Sequence, residues 1–282
     1  LLLKISKEVK QMNNLEGVIF DWAGTTIDFG CFAPVNAFLE IFKQVGVEVT
    51  VEEVRLPMGM LKRDHLRAML QTPRISQRWE EKHGKVFEEK DIDALYKNFE
   101  SLLLVSLKEY TDPLPHVLDT VSALRDRGLK IGSTTGYTDI MMDVVVPAAK
   151  EKGYAPDFVI TAEATATFGR PFPYMIFRNI EALRITSPWK TIKVGDTVAD
   201  LQEGYNAGVW SVGVIVGSSQ MGLSLKEYKA MPEAERQTAI NKARDAFLLA
   251  GADFVIETMD ELLPLLERIN GLIAEGKRPH AW

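Results

Sequence analysis

Gly17-Val18-Ile19-Phe20-Asp21-Trp22-Ala23-Gly24-Thr25-Thr26, residues 17–26, joins a short apolar run to a carboxylate and a small-residue turn. The run is too short for a helix and reads as a buried strand. Packing gives no reason for an Asp on the residue that closes such a strand. Chemistry does, because parallel α/β sheets present reactive groups at the carboxyl ends of their strands. The residue two positions on, Ala23, then bears on which chemistry.

Apolar, β-branched-rich runs recur at Leu129–Gly132, Phe158–Ile160, Thr191–Val194, Trp210–Val216 and Phe254–Ile256. Helical patterns separate most of them; Val117–Arg127 carries Val117, Val121 and Leu124 on one face and stops at Gly128. Alternating strand and helix predicts an α/β fold, a Rossmann-like parallel sheet with helices on both faces. The interval from Pro34 to Tyr110 breaks the alternation. It holds no convincing strand and reads as helices at Val35–Val45, Glu52–Arg55, Lys62–Gln71, Ile75–Lys82 and Ile92–Glu109. The expected organisation is therefore a core formed by residues 1–30 and 110–282, with an α-helical cap domain, residues 31–109, inserted after the first strand. Two adjacent linkers permit hinge motion over a site that must admit substrate and then exclude water. The stretch from Leu225 to Trp282 reads as amphipathic helices without recognisable chemistry.

Composition bounds the function. The 282 residues are 46% hydrophobic and 26% charged, as in ordinary globular enzymes, and the formal charge is −6. No basic face for nucleic acid is expected. The single cysteine, Cys31, excludes an internal disulfide framework and fits a reducing cytosol. No apolar stretch reaches the ~18–20 residues that span a bilayer. Leu1-Leu2-Leu3-Lys4-Ile5 lacks the basic start and cleavage site of a signal peptide, so a cytoplasmic location is expected.

Three predicted strand ends carry polar groups. Asp21 closes the first; Ser133-Thr134-Thr135-Gly136 follows the second; Asp196 and Asp200 follow the fourth. Arg170 lies among prolines in Phe168-Gly169-Arg170-Pro171-Phe172-Pro173. Carboxylates gathered at one sheet end suit a hard divalent cation such as Mg²⁺. The Arg and the hydroxyls suit an anion. A carboxylate nucleophile, a metal and a cationic clamp together describe phosphoryl transfer.

This ordered set, Asp21, Thr135, Arg170, then Asp196 and Asp200, resembles the haloacid dehalogenase superfamily. Most phosphatases of that superfamily have a second Asp two residues after the nucleophile, which protonates the leaving oxygen. Ala23 fills that slot here, and loss of such an acid typically costs ~10²–10⁴ in rate. The predicted cap offers another device. Leu56-Pro57-Met58-Gly59-Met60-Leu61-Lys62-Arg63-Asp64-His65 puts Lys62 and His65 one turn apart on a helix. An amine condenses with an aldehyde to an iminium, an electron sink. With an aldehyde two bonds from phosphorus, the iminium takes the electrons of a breaking C–P bond, and no oxygen-directed acid is needed.

Asp21-Trp22-Ala23-Gly24-Thr25-Thr26, Met58-Gly59-x-x-Lys62-x-x-His65, Ile131–Thr138 and Val216-Gly217-Ser218-Ser219 together resemble the phosphonoacetaldehyde hydrolase family. The resemblance implies that Lys62 forms a Schiff base with a small phosphonate substrate and that Asp21 becomes an aspartyl phosphate. It implies Mg²⁺ held by Asp21, the Ala23 backbone carbonyl and Asp196, with Asp200 in support. Thr135, Gly136 and Arg170 would hold the phosphonyl oxygens, His65 would relay protons, and Met58 and Cys31 would line the site. A homodimer through the cap is implied as well. One stretch departs from the family: Ala162–Phe168, before Gly-Arg-Pro, is alanine- and threonine-rich instead of acidic with Val-Pro. Alternatives are an Mg²⁺-dependent phosphatase or phosphomutase acting on an oxygen ester, and a catalytically silent phosphate-binding module. Imine chemistry requires Lys62 to be partly buried and to titrate below the solvated value of about 10.4.

Overall fold

The computed structural model describes residues 14–281; the opening stretch Leu1-Leu2-Leu3-Lys4-Ile5 lies outside the described residues. Gly17–Phe20 forms β1 at the centre of a parallel six-stranded sheet of order β3-β2-β1-β4-β5-β6. Its partners are β2 (Lys130–Thr134) and β4 (Thr191–Gly195); β3 (Phe158–Ile160) lies outside β2, and β5 (Trp210–Val214) and β6 (Phe254–Ile256) extend the other half. Successive strands step outward from β1 in one direction and then in the other, so the chain reverses between β1 and β4. Open α/β sheets bind ligands at such a switch point, outside the strands' carboxyl ends.

β2 extends beyond the expected Gly132, because Ser133 and Thr134 pair with Val159 and Ile160 on β3. The hydroxyls expected at the strand end belong to the strand, with Ser133 paired on both sides and Thr134 paired with β3. β5 ends at Val214, before the expected Val216.

Five helices follow β1: α1 (Phe32–Gln44), α2 (Val51–Arg55), α3 (Lys62–Gln71), α4 (Pro73–His83) and α5 (Glu89–Ser106). The start of α1 precedes the expected Val35 because Asp28 accepts the Phe32 and Ala33 amides at 2.9 and 3.0 Å, satisfying donors a helix start leaves orphaned. α5 starts at Glu89, before the expected Ile92, behind a capping box of Glu88 and Asp91. The buried Phe38 ring stacks on His65 (4.0 Å) and Phe99 (4.2 Å), tying α1 to α3 and α5. Burying such a ring contributes about 1.5–3 kcal/mol.

The helices α6 (Val117–Asp126), α7 (Asp139–Glu151), α8 (Tyr174–Ala182) and α9 (Val198–Ala207) alternate with the strands. After β5 come α10 (Leu225–Ala230), α11 (Glu233–Leu249) and α12 (Leu262–Ala274). This last part belongs to the sheet's packing: Ile240, Ala243 and Phe247 of α11 pack with Leu201 and Ile215, and β6 completes one edge. No helix among the described residues is long and apolar enough to cross a membrane.

Candidate active site

The sheet register assembles the polar strand ends. Phe20 pairs with Ser133 on one side and Val194 on the other, so the residues that follow, Asp21, Thr134 and Gly195, emerge side by side. Asp196 comes next and is fully buried. Its Oδ1 accepts the Thr25 hydroxyl at 2.9 Å and its Oδ2 the Ser219 amide at 2.7 Å. Gly24, at φ +87°, makes this possible, since a Cβ there would meet Asp196 Oδ2 at 2.3 Å. Asp200 lies in the first turn of α9, whose N-cap Thr197 also donates its hydroxyl to Asp200 Oδ2 at 2.6 Å.

Carboxylate oxygens of Asp21, Asp196 and Asp200 lie within 4.8 Å of one another, all buried. Burial first, then the Asp21 and Asp200 charges, pushes the Asp196 carboxyl well above the usual range. An all-oxygen, anionic donor set of this spacing fits a hard divalent cation, which would relieve that repulsion.

Arg170 reaches this cluster. The atypical stretch before it forms a 3₁₀ turn over Ala162–Thr165, and the Thr165 hydroxyl sits 2.9 Å from the Ala162 carbonyl and 3.0 Å from the Phe168 carbonyl. The guanidinium is buried and shared: Nη2 donates to Asp21 Oδ1 (2.7 Å) and to Thr134, Nη1 lies 3.1 Å from Asp200 Oδ1, and Nε donates to Glu203 Oε2 (3.1 Å). Burial alone would raise the Asp21 carboxyl, yet the charges of Arg170 and Lys193 outweigh it and hold Asp21 below its ordinary value. Asp21 is thus kept ionised, as a nucleophile must be.

Lys193 was not singled out from the sequence. It lies in the middle of β4, fully buried, with Nζ 2.8 Å from Asp200, 3.5 Å from Glu203 and 2.9 Å from the Thr134 hydroxyl. That hydroxyl accepts from Lys193 and Arg170 and donates to Glu203 at 3.0 Å. A lysine inside an apolar strand was the available signal, because such a charge stays buried only when paired. Lys193→Met is expected to lower stability by about 3–5 kcal/mol, since Asp200 and Glu203 lose a buried counter-charge. Urea unfolding measures this; a loss within about 0.5 kcal/mol, the usual surface range, would show that the network does not depend on Lys193.

The inserted helices complete the enclosure. Asp21, Ala23, Thr135, Gly136 and Arg170 from the sheet side line one cavity with Cys31, Met58 and Lys62, and it measures about 20 Å³, room for roughly one water. Gly59, at φ +91°, lets the insertion press on the core, because a Cβ there would meet the Thr197 hydroxyl at 2.3 Å. Lys62 is only 5% exposed, and its Nζ lies 5.2 Å from the centroid of the Tyr137 ring. Tyr137 is likewise a residue given no role from sequence. Burial lowers the Lys62 amine; the Asp21 charge opposes this, Arg170 adds to it, and the net displacement is downward. The Cys31 thiol is itself pushed well up by burial and by Asp28 and Asp196, so at neutral pH it is uncharged and gives Lys62 no counter-ion.

His65 does not line the cavity. Its Nε2 lies 2.8 Å from the Val54 carbonyl and so carries the hydrogen, which leaves Nδ1 a buried lone pair without a partner. Burial and the Lys62 charge hold the imidazole well below its ordinary value, hence neutral.

The switch-point carboxylates and the clamping Arg170 define a class. A family model described as haloacid dehalogenase-like hydrolase matches residues 15–208. Similarity extends further to proteins named phosphonoacetaldehyde hydrolase. One from Lysinibacillus sphaericus is 55% identical over 92% of this chain and 97% of its own length. One from Parabacteroides distasonis is 46% identical over 92% and 98%. The crystal structure of a phosphonoacetaldehyde hydrolase like protein from Oleispira antarctica superposes with a TM-score of 0.91 at 37% identity, covering 94% of this chain and 96% of that one. The chain belongs to the phosphonoacetaldehyde hydrolase family of the haloacid dehalogenase-like hydrolases, and it is a hydrolase.

Proposed function

We propose that this protein hydrolyses the C–P bond of phosphonoacetaldehyde to acetaldehyde and phosphate. One observation carries the reading: a buried amine, Lys62, shares a closed cavity with an ionised Asp21, while the position two residues on is Ala23. In this reading residues 31–109 are the cap, and its closure delivers Lys62. The free amine adds to the aldehyde and, with loss of water, gives an iminium. An Asp21 oxygen attacks phosphorus; the C–P electron pair moves into the enamine, and an aspartyl phosphate remains. One water hydrolyses the acyl phosphate and releases phosphate. The enamine carbon takes a proton, a second water hydrolyses the imine, and acetaldehyde leaves. One water is consumed overall.

Arg170 fixes Asp21 in line, and Thr135 and Gly136 face the phosphonyl oxygens from the cavity wall. His65 lies outside the cavity wall with Nε2 committed to Val54, so in this reading its unspent Nδ1 would relay protons toward the imine nitrogen from behind Lys62. Met58 and Cys31 supply a neutral wall that keeps water out. Mg²⁺, held by Asp21, Asp196 and the Ala23 carbonyl with Asp200 in support, would screen the charge between nucleophile and phosphonyl group. A cytosolic homodimer, paired through the cap, is part of the same proposal; sedimentation of the protein tests the pairing.

Borohydride reduction in the presence of phosphonoacetaldehyde, followed by mass mapping, tests the reading. An ethyl-type adduct on Lys62 is expected. Phosphate release from esters without trapping would instead favour a phosphatase, and neither outcome with Mg²⁺ present would leave a silent phosphate-binding module.

Trapping also has a defined pH dependence. Only the free amine adds, so the trapping rate rises with pH through the Lys62 midpoint. Burial moves that midpoint below the ordinary 10.5. The acid limb of trapping rate against pH is therefore expected to bend below 10.5. A limb still climbing at the solvated value would contradict a desolvated Lys62.

A further inference from the structure

We propose that Arg55 is a positioning residue that couples closure of the cap to the geometry of Asp196. The inference rests on the functional reading above, in which Asp196 holds the metal and the cap brings Lys62. Arg55 ends α2, within the insertion, and its side chain crosses onto the loop that follows β5. Nη1 donates to the Gly30 carbonyl at 2.8 Å, to the Ser219 carbonyl at 3.1 Å and to the Ser219 hydroxyl at 3.3 Å. The guanidinium carbon lies 5.1 Å from the centre of the Phe32 ring, at the start of α1. There is no spare room on the loop side, because a Cβ on Gly222 would come within 3.0 Å of Arg55 Nε.

Nη2 also reaches the Gly222 carbonyl at 3.5 Å, and the other two residues that Arg55 holds are tied onward. Gly30 belongs to the first linker, and its amide donates to the Gly217 carbonyl at 2.7 Å. Ser219, held through its carbonyl and hydroxyl, uses its own amide on Asp196 Oδ2 at 2.7 Å. One cap side chain therefore spans the linker and the residue that orients a buried carboxylate of the metal cluster. Lys62 sits seven residues further along the same insertion. When the cap lifts, Arg55 leaves the Gly30 and Ser219 carbonyls and the Ser219 amide loses its brace. When it closes, the electron sink and the metal ligand are set by one movement.

The test compares wild type with Arg55→Ala and Arg55→Lys, each checked for folding by its melting curve. Mg²⁺ binding is measured by calorimetry without substrate, and kcat and KM are measured separately at saturating Mg²⁺. Partners that orient a metal ligand typically account for ~10–100-fold in affinity or activity. Arg55→Ala is expected to weaken Mg²⁺ by about tenfold and to lower kcat at least as much, with guanidinium in the buffer restoring part of both. The sign is diagnostic, because removing a cation near Asp196 acts alone to tighten Mg²⁺. Should Arg55→Ala not fold, Arg55→Lys carries the comparison: it keeps the charge but has one nitrogen in place of the planar fork whose Nη1 serves Gly30 and Ser219 and whose Nη2 reaches the Gly222 carbonyl at 3.5 Å, and weaker Mg²⁺ binding is again expected. Unchanged or tighter Mg²⁺ binding with no guanidinium rescue overturns the inference. A wild type that binds Mg²⁺ but gives no Lys62 adduct overturns the functional reading instead, and the Mg²⁺ comparison still decides the role of Arg55.

Discussion

Lys62→Arg is expected to abolish borohydride trapping and to cut kcat/KM by ~10⁴ or more. Arginine preserves the positive charge and nearly the length, so a merely electrostatic role for Lys62 would survive the change. Condensation would not, because guanidinium stays protonated throughout the accessible pH range and has no free amine to add. The size follows from what is lost. A positioned amine brings an effective molarity of up to ~10⁵–10⁸ M, and no free amine in the buffer replaces that inside a cavity of about 20 Å³. Without the iminium, the C–P bond would have to leave its electrons on an unactivated carbon, and Ala23 offers no acid to help. Retention of more than about a tenth of wild-type kcat/KM by Lys62→Arg would sink the Schiff-base route.

The sheet was legible because its strands are short, apolar and bounded by turn signals. The strand expected at Thr191–Val194 differs by one residue from Thr191–Gly195, and Phe158–Ile160 and Phe254–Ile256 agree in both bounds. The third helix after β1 was legible end to end: Lys62–Gln71 starts after a turn and stops before Pro73. The margins that differed have local causes no periodicity encodes, such as the Asp28 side chain reaching forward to start α1.

Legibility of the site followed position in the predicted elements. Asp21, Asp196, Asp200 and Arg170 sit at strand ends or in a Pro-framed loop, where a polar residue stands out, and all four lie in one buried cluster. Lys193 and Glu203 were not singled out, because each also relies on a partner on another element, Thr134 for Lys193 and Arg170 for Glu203, and a buried charge is invisible until its counter-charge is known. Ser219 shows an intermediate case: Val216-Gly217-Ser218-Ser219 could be quoted as family-like, but its use, an amide on Asp196, exists only in three dimensions. His65 was visible as Lys62's neighbour on α3; that its Nε2 is committed to Val54 and only Nδ1 is unspent was not.

Asp21→Asn is expected to separate the two halves of the chemistry. The amide is close in shape, so the fold should persist, but it is a poor nucleophile toward phosphorus, and phosphate release is expected to fall by ~10⁴ or more. Removing a residue that acts only in the transition state lowers kcat without a matching change in substrate binding. The imine half does not use the Asp21 carboxylate as a reactant. Asp21 nonetheless opposes the lowering of the Lys62 amine, so its neutralisation lets that amine fall further and enlarges the free fraction at neutral pH. Borohydride trapping on Lys62 is therefore expected to persist in Asp21→Asn, and its acid limb to move to lower pH than in wild type. The trapped species should also change. With the C–P bond intact, reduction leaves phosphorus on the adduct, and the mass on Lys62 should correspond to a phosphonoethyl group in place of the ethyl group. Loss of trapping together with loss of phosphate release, in a variant that melts like wild type, would show that Asp21 also builds the imine, and the division of labour between sheet and cap would have to be redrawn.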